Sequence, residues 1–352
     1  MAYTTVDDPS QYFQTALWTG NNTTQAITND GNSDLQPDLV WLKMRSSEAN
    51  QNHRWTDSTR GVTKSLNSNN TNAEATEATG LTAFSSDGFT LGGAGGYNGS
   101  GRTYVGWQWK ANGGTTSSNT DGDITTTVQV NTTAGFSIAT YTGNGGSNQT
   151  LGHGLGAEPD IVIFKDRDST SHWRVYTKAT GGSNFLNLNT DGAVSASGAI
   201  FPNASSTIIG VEQNDVMNKS GSNHVMYSFR SIKGYSKIGT YEGVGGTNGA
   251  FAYTGFRPAW LLYRNIDRTE NWIIVDAKRN TFNRVAGANL QANVNDAEVN
   301  EQRWGFDFLA NGFKVRQTQS QNANNGDGET IFYMAFAEHP FVTSKGTPTV
   351  AR

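Results

Sequence analysis

Three stretches of the chain repeat one order of apolar and polar positions. Each opens with an aromatic strand that breaks at a glycine: Leu17-Trp18-Thr19-Gly20, Thr140-Tyr141-Thr142-Gly143 and Thr240-Tyr241-Glu242-Gly243. A proline then opens an apolar run, in Pro37-Asp38-Leu39-Val40-Trp41-Leu42-Lys43, Pro159-Asp160-Ile161-Val162-Ile163-Phe164-Lys165 and Pro258-Ala259-Trp260-Leu261-Leu262-Tyr263-Arg264. The proline follows the glycine by 17, 16 and 15 positions, and a cation closes every run. Next comes a strand carrying Trp: Arg54-Trp55, His172-Trp173-Arg174-Val175-Tyr176 and Asn271-Trp272-Ile273-Ile274-Val275. Each stretch ends on an aromatic alternation: Tyr104-Val105-Gly106-Trp107-Gln108-Trp109-Lys110, Val225-Met226-Tyr227-Ser228-Phe229-Arg230 and Phe332-Tyr333-Met334-Ala335-Phe336-Ala337-Glu338. Period-2 patterns of β-branched and aromatic residues predict strands with one face on a core.

The first and third stretches also share Ser86-Asp87-Gly88-Phe89-Thr90-Leu91 and Ala310-Asn311-Gly312-Phe313-Lys314-Val315, whose Asp-Gly and Asn-Gly pairs predict hairpins. The middle stretch has no clear copy. Asn72-Ala73-Glu74-Ala75-Thr76-Glu77-Ala78 is long enough for one or two helical turns, and Asn295-Asp296-Ala297-Glu298 for a matching turn. Neither shows the i, i+3, i+4 stripe of a packed helix. The spacing predicts an all-β chain of three tandem antiparallel β-sandwich repeats, jelly-roll-like or lectin-like. The repeats span 1–115, 134–231 and 232–352, the last with a short C-terminal tail. Residues 116–133, following on Ala111-Asn112-Gly113-Gly114-Thr115, read as a Gly/Ser/Thr-rich flexible linker. The second joint, Ser231-Ile232-Lys233-Gly234, is so short that the repeats on either side should pack closely.

Composition narrows the classes. Charged residues are 16 % of the 352, against about 25 % in average soluble domains, and glycine contributes 41 residues. Asn, Thr, Ser and Gly take the place of the charges, which suits strands and turns and disfavours helices. Net charge is −4 and no Lys/Arg block exists, so no nucleic-acid surface is expected. No apolar run approaches a membrane span, and Met1-Ala2-Tyr3-Thr4-Thr5-Val6-Asp7-Asp8 lacks the basic and apolar regions of a signal peptide. Without cysteine there is neither a disulfide framework nor a thiolate metal site. A protein made in a reducing cytoplasm but used outside it has this composition.

Candidate chemistry is sparse. No G-x-S-x-G elbow, P-loop or H-E-x-x-H motif occurs, and His53, His153, His172, His224 and His339 lack metal-ligand spacing. His153, in Leu151-Gly152-His153-Gly154-Leu155, reads as a turn histidine. Asp121-Gly122-Asp123 and Gly326-Asp327-Gly328-Glu329 offer oxygens but continue into no calcium loop, so they read as turns, as does Asp166-Arg167-Asp168. Asp57-x-x-Arg60 recurs as Asp276-x-x-Arg279, with Tyr176 and Ala179 taken as the middle counterparts. The pair reads as a carboxylate–guanidinium clasp after the Trp strand rather than a polar pocket. A glycosidase would need two carboxylates about 5–10 Å apart, a separation no motif here supplies. Trp41, Trp107, Trp109, Trp173, Trp260 and Trp272 recur within strands and belong to the core, with Trp107 and Trp109 on one face. Tyr97, within Gly92-Gly93-Ala94-Gly95-Gly96-Tyr97-Asn98-Gly99, is the better surface candidate, or else an anchor for its glycine loop. No catalytic, cofactor or metal residues are assigned, and the ligand-binding residues stay unknown.

The series Trp18-Thr19-Gly20, Pro37-Asp38-Leu39-Val40-Trp41, Asp57-Ser58-Thr59-Arg60-Gly61, Asp87-Gly88-Phe89-Thr90-Leu91 and Tyr104-Val105-Gly106-Trp107-Gln108-Trp109-Lys110 resembles a domain of unknown function common in tailed bacteriophages, especially marine ones. Gly135-Phe136-Ser137-Ile138-Ala139-Thr140-Tyr141-Thr142-Gly143-Asn144-Gly145, Tyr253-Thr254-Gly255-Phe256-Arg257-Pro258-Ala259-Trp260 and Ala335-Phe336-Ala337-Glu338-His339-Pro340-Phe341 are similar to the rest of that family. The resemblance implies a non-enzymatic virion structural protein, tail-fibre-like or lectin-like, on the particle exterior, without cofactors. Its expected partners are other tail or capsid proteins, a host-surface glycan and further copies of itself. Strands that begin near Tyr12 leave little room for an attachment segment or stalk, which raises a second expectation, a protein decorating the capsid or tail. A virion enzyme that degrades glycans is the third.

Overall fold

In the computed structural model, which describes residues 3–46, 51–196, 204–283, 288–300, 305–316 and 322–349, each repeat is a large antiparallel sheet faced by a small one. The large sheet of repeat 1 runs Phe13–Thr19, Thr103–Trp109, Leu39–Met44, Arg54–Asp57, Lys64–Asn67 and Ala75–Thr76 in spatial order. The closing aromatic strand thus lies between the opening strand and the proline run. Repeat 3 copies the order with Ser236–Glu242, Thr330–Pro340, Phe256–Asn265, Ile273–Asp276, Ala288–Gln291 and Val299–Asn300. Repeat 2 follows it with Phe136–Thr142, Asn223–Phe229, Ile161–Asp166, Arg174–Thr177, Asn184–Asn187 and Ser195–Ala196. It adds Thr126–Asn131 and Ser117–Asn119 outside its opening strand.

Alternation sorts the side chains between two cores. In repeat 1, Leu39, Trp41, Trp107 and Trp109 point one way, while Val40, Leu42 and Tyr104 point the other. The second set packs under the small sheet, and repeats 2 and 3 have local cores of the same kind. The first set meets its counterparts from the other two repeats in one shared core. There Trp260 lies 6.3 Å from Trp41, 6.3 Å from Trp107 and 5.5 Å from Trp109, and Trp55 lies 5.2 Å from Trp173. Such rings bury large areas and add favourable edge contacts.

The glycine that ends each opening strand is fixed by a close approach. A Cβ on Gly20, Gly143 or Gly243 would sit 2.2 Å from Gly99 O, 2.3 Å from Lys219 O or 2.1 Å from Gly326 O. The facing turn is drawn in by an aromatic donor: Trp18 Nε1, Tyr141 Oη and Tyr241 Oη donate to the carbonyls of Tyr97, Met217 and Asn324 at 3.1, 2.6 and 2.7 Å. Buried Asn98, Asn218 and Asn325 follow, and their amides clamp the loop after the glycine.

Three expectations change. The stretch 116–133 is no flexible linker: it supplies two strands of the second sheet, and a bridge from Ile124 to Leu151 covers the small sheet's edge. Its polar composition suits a strand that covers other strands. The proposed helical turn at Asn72–Ala78 is extended instead, with Ser65 opposite Ala75, and Asn295–Glu298 is likewise not helical. The hairpins at Asp87-Gly88 and Asn311-Gly312 form as expected. In repeat 2 only Ile208–Val211, paired with Gln149–Gly152, represents them, and residues 197–203 lie outside the described ones.

Candidate functional site

The shared core closes the repeats into a ring, and the same bonds recur at each joint. Trp173 Nε1 of repeat 2 donates to Asn67 O of repeat 1, and Trp272 Nε1 of repeat 3 to Asn187 O of repeat 2, both at 2.9 Å. The third joint uses His53, whose Nε2 meets Gln291 O at 3.1 Å while its Nδ1 accepts from Trp41 Nε1 at 2.9 Å. That pairing assigns the Nε2–H tautomer. Burial, aided by the charge of Lys43, holds the His53 pKa well below its usual range. Backbone bonds repeat the cycle: Glu74 N to Arg167 O, Val194 N to Ile266 O and Glu298 N to Arg45 O.

The cations that end the apolar runs are joints too. Lys43 Nζ reaches Asn295 O, Lys165 Nζ reaches Thr71 O, and Arg264 reaches Thr190 O and Gly192 O, each on the preceding repeat of the ring. Burial pushes both lysines down to about 8 and Arg264 to about 10.

The Asp-x-x-Arg clasp is buried in the same joints. Asp57 accepts from Arg60 and from Tyr227 Oη of repeat 2 at 2.7 Å, and Asp276 from Arg279 and from Trp107 Nε1 of repeat 1 at 3.0 Å. Each arginine continues to a glutamate, Glu74 or Glu298, which also holds Arg167 or Arg45 of the next repeat. Burial would raise both glutamates, but the hydrogen bonds and charges of the two arginines around each hold them below their usual pKa. Register places Thr177 and Thr180, not Tyr176 and Ala179, opposite these clasps in repeat 2, since Thr177 faces Ile161 as Asp57 faces Leu39 and Asp276 faces Trp260.

The remaining candidates are structural. His153 is buried, accepts from Leu155 N and faces Ser205 O, as a turn histidine does, and His224 stacks on Tyr141. His172 is exposed beside Asn189. Asp123 accepts from Thr150, Asp166 from Asp168 N and Ser169 N, and Glu329 from Asn265 and Arg268, so the acidic loops are tied turns. Tyr97 is 1 % exposed under Arg54, which makes it an anchor and not a surface aromatic. Among the described residues no three His, Asp or Glu side chains converge as a metal site.

Among the described residues, an opening between repeats 1 and 3 breaks the repetition. Asp38 accepts from the amides of Ala111, Gly113 and Gly114 and from Ser58 Oγ. Gln129 completes that joint with bonds to Ser58, Thr59 and the amides of Asn112 and Gly114. In repeat 2 Asp160 accepts from Ser231 N at 2.6 Å and pairs with Lys178. Repeat 3 has Ala259 and Ala277 at these two positions, and its joint with repeat 1 is crossed by no covalent connection between them.

A groove of about 240 Å³ results. Phe13, Ala259, Ala277 and Ala337 form its apolar surface, and Gln14, Asp30, Asn32, Lys278, Glu338 and His339 its polar one. The strand pairing bulges at Arg257–Trp260 beside it, a feature that re-aims side chains near sites. Repeat 1 supplies the rim from its loop before Pro37, the longest of the three, which Gln14 fixes through Gly31 N and Ser33 O at 2.9 and 2.8 Å. Asp30 pairs with Lys278 across the groove, and Glu338 with Arg257. Reading by sequence missed this site, although alanine after Pro258, where Pro37 and Pro159 are followed by aspartate, is the signal that marks it.

A family profile described as a domain of unknown function, DUF7483, matches residues 8–340. No curated protein and no solved structure matches the chain.

Proposed function

The chain belongs to the DUF7483 family, and we propose that this member is a non-enzymatic structural protein of a tailed-phage virion. It stands on the particle exterior as a tail-associated or fibre-type protein and reads host-surface glycans through its groove. The observation that carries this reading is how its polar residues divide. The clasp carboxylates and arginines are buried in joints that lock the ring, while an accessible mixed set lines one rigid groove. A site on strands and short tied loops suits recognition by a pre-formed surface. Gold-labelled antibody against the protein on intact particles tests the assignment. Label at the tail or its fibres is the expected result; particles without label would overturn it.

A second reading, a protein decorating the capsid or tail, has its own support. The strand Asn248–Tyr253 edges its small sheet and exposes Phe251 and Tyr253 at 45 % and 56 %. Val244 and Phe282 of the same repeat are exposed as well. Exposed apolar side chains on a sheet edge favour contact with another protein. Label spread over the capsid would select this reading.

A further inference from the structure

We infer that the groove between repeats 1 and 3 binds a single neutral sugar ring, seated where the other repeats keep their own aspartate. The inference rests on reading the groove as the recognition site and adds the class of ligand. Its shape comes first. Asp38 with Ser58, and Asp160 with Lys178, occupy the corresponding space in repeats 1 and 2, whereas Ala259 and Ala277 vacate it. At about 240 Å³ the groove is smaller than the roughly 300–1,000 Å³ of drug-sized sites, which suits one ring and not a chain.

Charge favours a neutral guest. The carboxylates of Asp30 and Glu338 are each paired, with Lys278 and Arg257, so a charged ligand would have to separate a pair. What remains is Thr15, Asn32 and His339 around Ala259 and Ala277, since the Gln14 amide is spent on the rim loop and Phe13 and Ala337 are nearly covered by the core. A pyranose matches that arrangement, with a C–H face for the apolar surface and hydroxyls that both donate and accept. The rim holds its shape without a ligand, because Gln14 and Ser10 tie its loop by way of Gly31 and Ser33. Little ordering cost therefore opposes binding.

The test uses the full chain with methyl β-glucopyranoside, N-acetylglucosamine and glucuronate as probes. Ligand-observed saturation-transfer NMR reads binding, and amide shifts map it. Transfer to a neutral probe is expected, with shifts confined to Gly31, Asn32, Ala277 and Lys278 and their neighbours. The variant Ala259→Asp/Ala277→Ser rebuilds the repeat 1 pair and should weaken binding at least tenfold. If that variant does not fold, Ala277→Met narrows the groove by one side chain and carries the same expectation. Absence of transfer to both neutral probes overturns the inference, as does binding that the plugged variant retains or that only glucuronate shows. Particle labelling does not enter this experiment, so either idea can fail while the other stands.

Discussion

His53 shows how one residue can serve where its counterparts are tryptophans. Trp173 and Trp272 each donate one bond across a joint, and neutral His53 does so while also accepting from Trp41. Because burial depresses its pKa, the unfolded chain takes up a proton that the folded chain refuses. Stability is then whole above about 6.5 and declines as pH falls below it, by up to about 1.4 kcal/mol per pH unit from this residue. His153 and His224, also depressed by burial, act in the same direction. Urea unfolding from neutral to about pH 5.5 should show this decline, and His53→Gln should shrink the slope without abolishing it. An unchanged slope in the variant would refute the neutral, buried assignment. The Asp57–Arg60 association was legible from spacing alone, but its burial and its partner Tyr227 were not. Those depend on a residue 170 positions away.

Strand ends carry the specificity of the joints. Asp57 and Asp276 each meet a donor from the next repeat, Tyr227 or Trp107. Repeat 2 ends its strand on Thr177, and Met334 holds the register position of Tyr227 and Trp107, opposite Leu262 as Tyr227 is opposite Ile163. A thioether has no proton to give a carboxylate, so threonine and methionine occur together. Asp57→Thr alone should cost about 3–5 kcal/mol, because it leaves Arg60 Nε and Tyr227 Oη buried without the carboxylate they share, with Glu74 as the one anion still facing Arg60. Adding Arg60→Thr and Tyr227→Met reproduces the repeat 2 set and should recover most of that loss, with Glu74 still held by Arg167. Equal stabilities for the single and triple variants in urea titrations would show that the clasp is not the source. The existence of these strands was legible but their alignment was not, since Tyr176 and Ala179 were matched where register places Thr177 and Thr180, and 116–133 was not legible as strand at all. Ser and Thr mark a covering strand no more clearly than a loop.

At the scale of the whole molecule the repeats are not independent sandwiches on a string. Each large sheet buries one face against the other two, so a repeat on its own would expose half of its core. Thermal and urea unfolding should follow one transition by tryptophan fluorescence and by amide exchange in all three repeats. Trp260→Ala, which removes the ring touching Trp41, Trp107 and Trp109, should cost about 3–5 kcal/mol and lower protection in every repeat together. Loss confined to repeat 3 would contradict the shared core.

The chain's own pattern determined that it is all-β, that it repeats three times, where most of the strands lie and which tryptophans are buried. Strands, turns and buried faces follow from alternation and turn residues within about ten positions, and the threefold repetition from one order of them recurring along the chain. Only the tertiary structure decided that the repeats close into a ring, that the lysines ending the apolar runs are buried struts, and that one joint is left open. Closure is set by side chains that meet across 72 to 252 residues, and no local rule encodes a meeting at that range. The groove belongs to the same class. Ala259 and Ala277 look like ordinary small residues in sequence, and only against Asp38, Ser58, Asp160 and Lys178 in equivalent places do they become a vacancy.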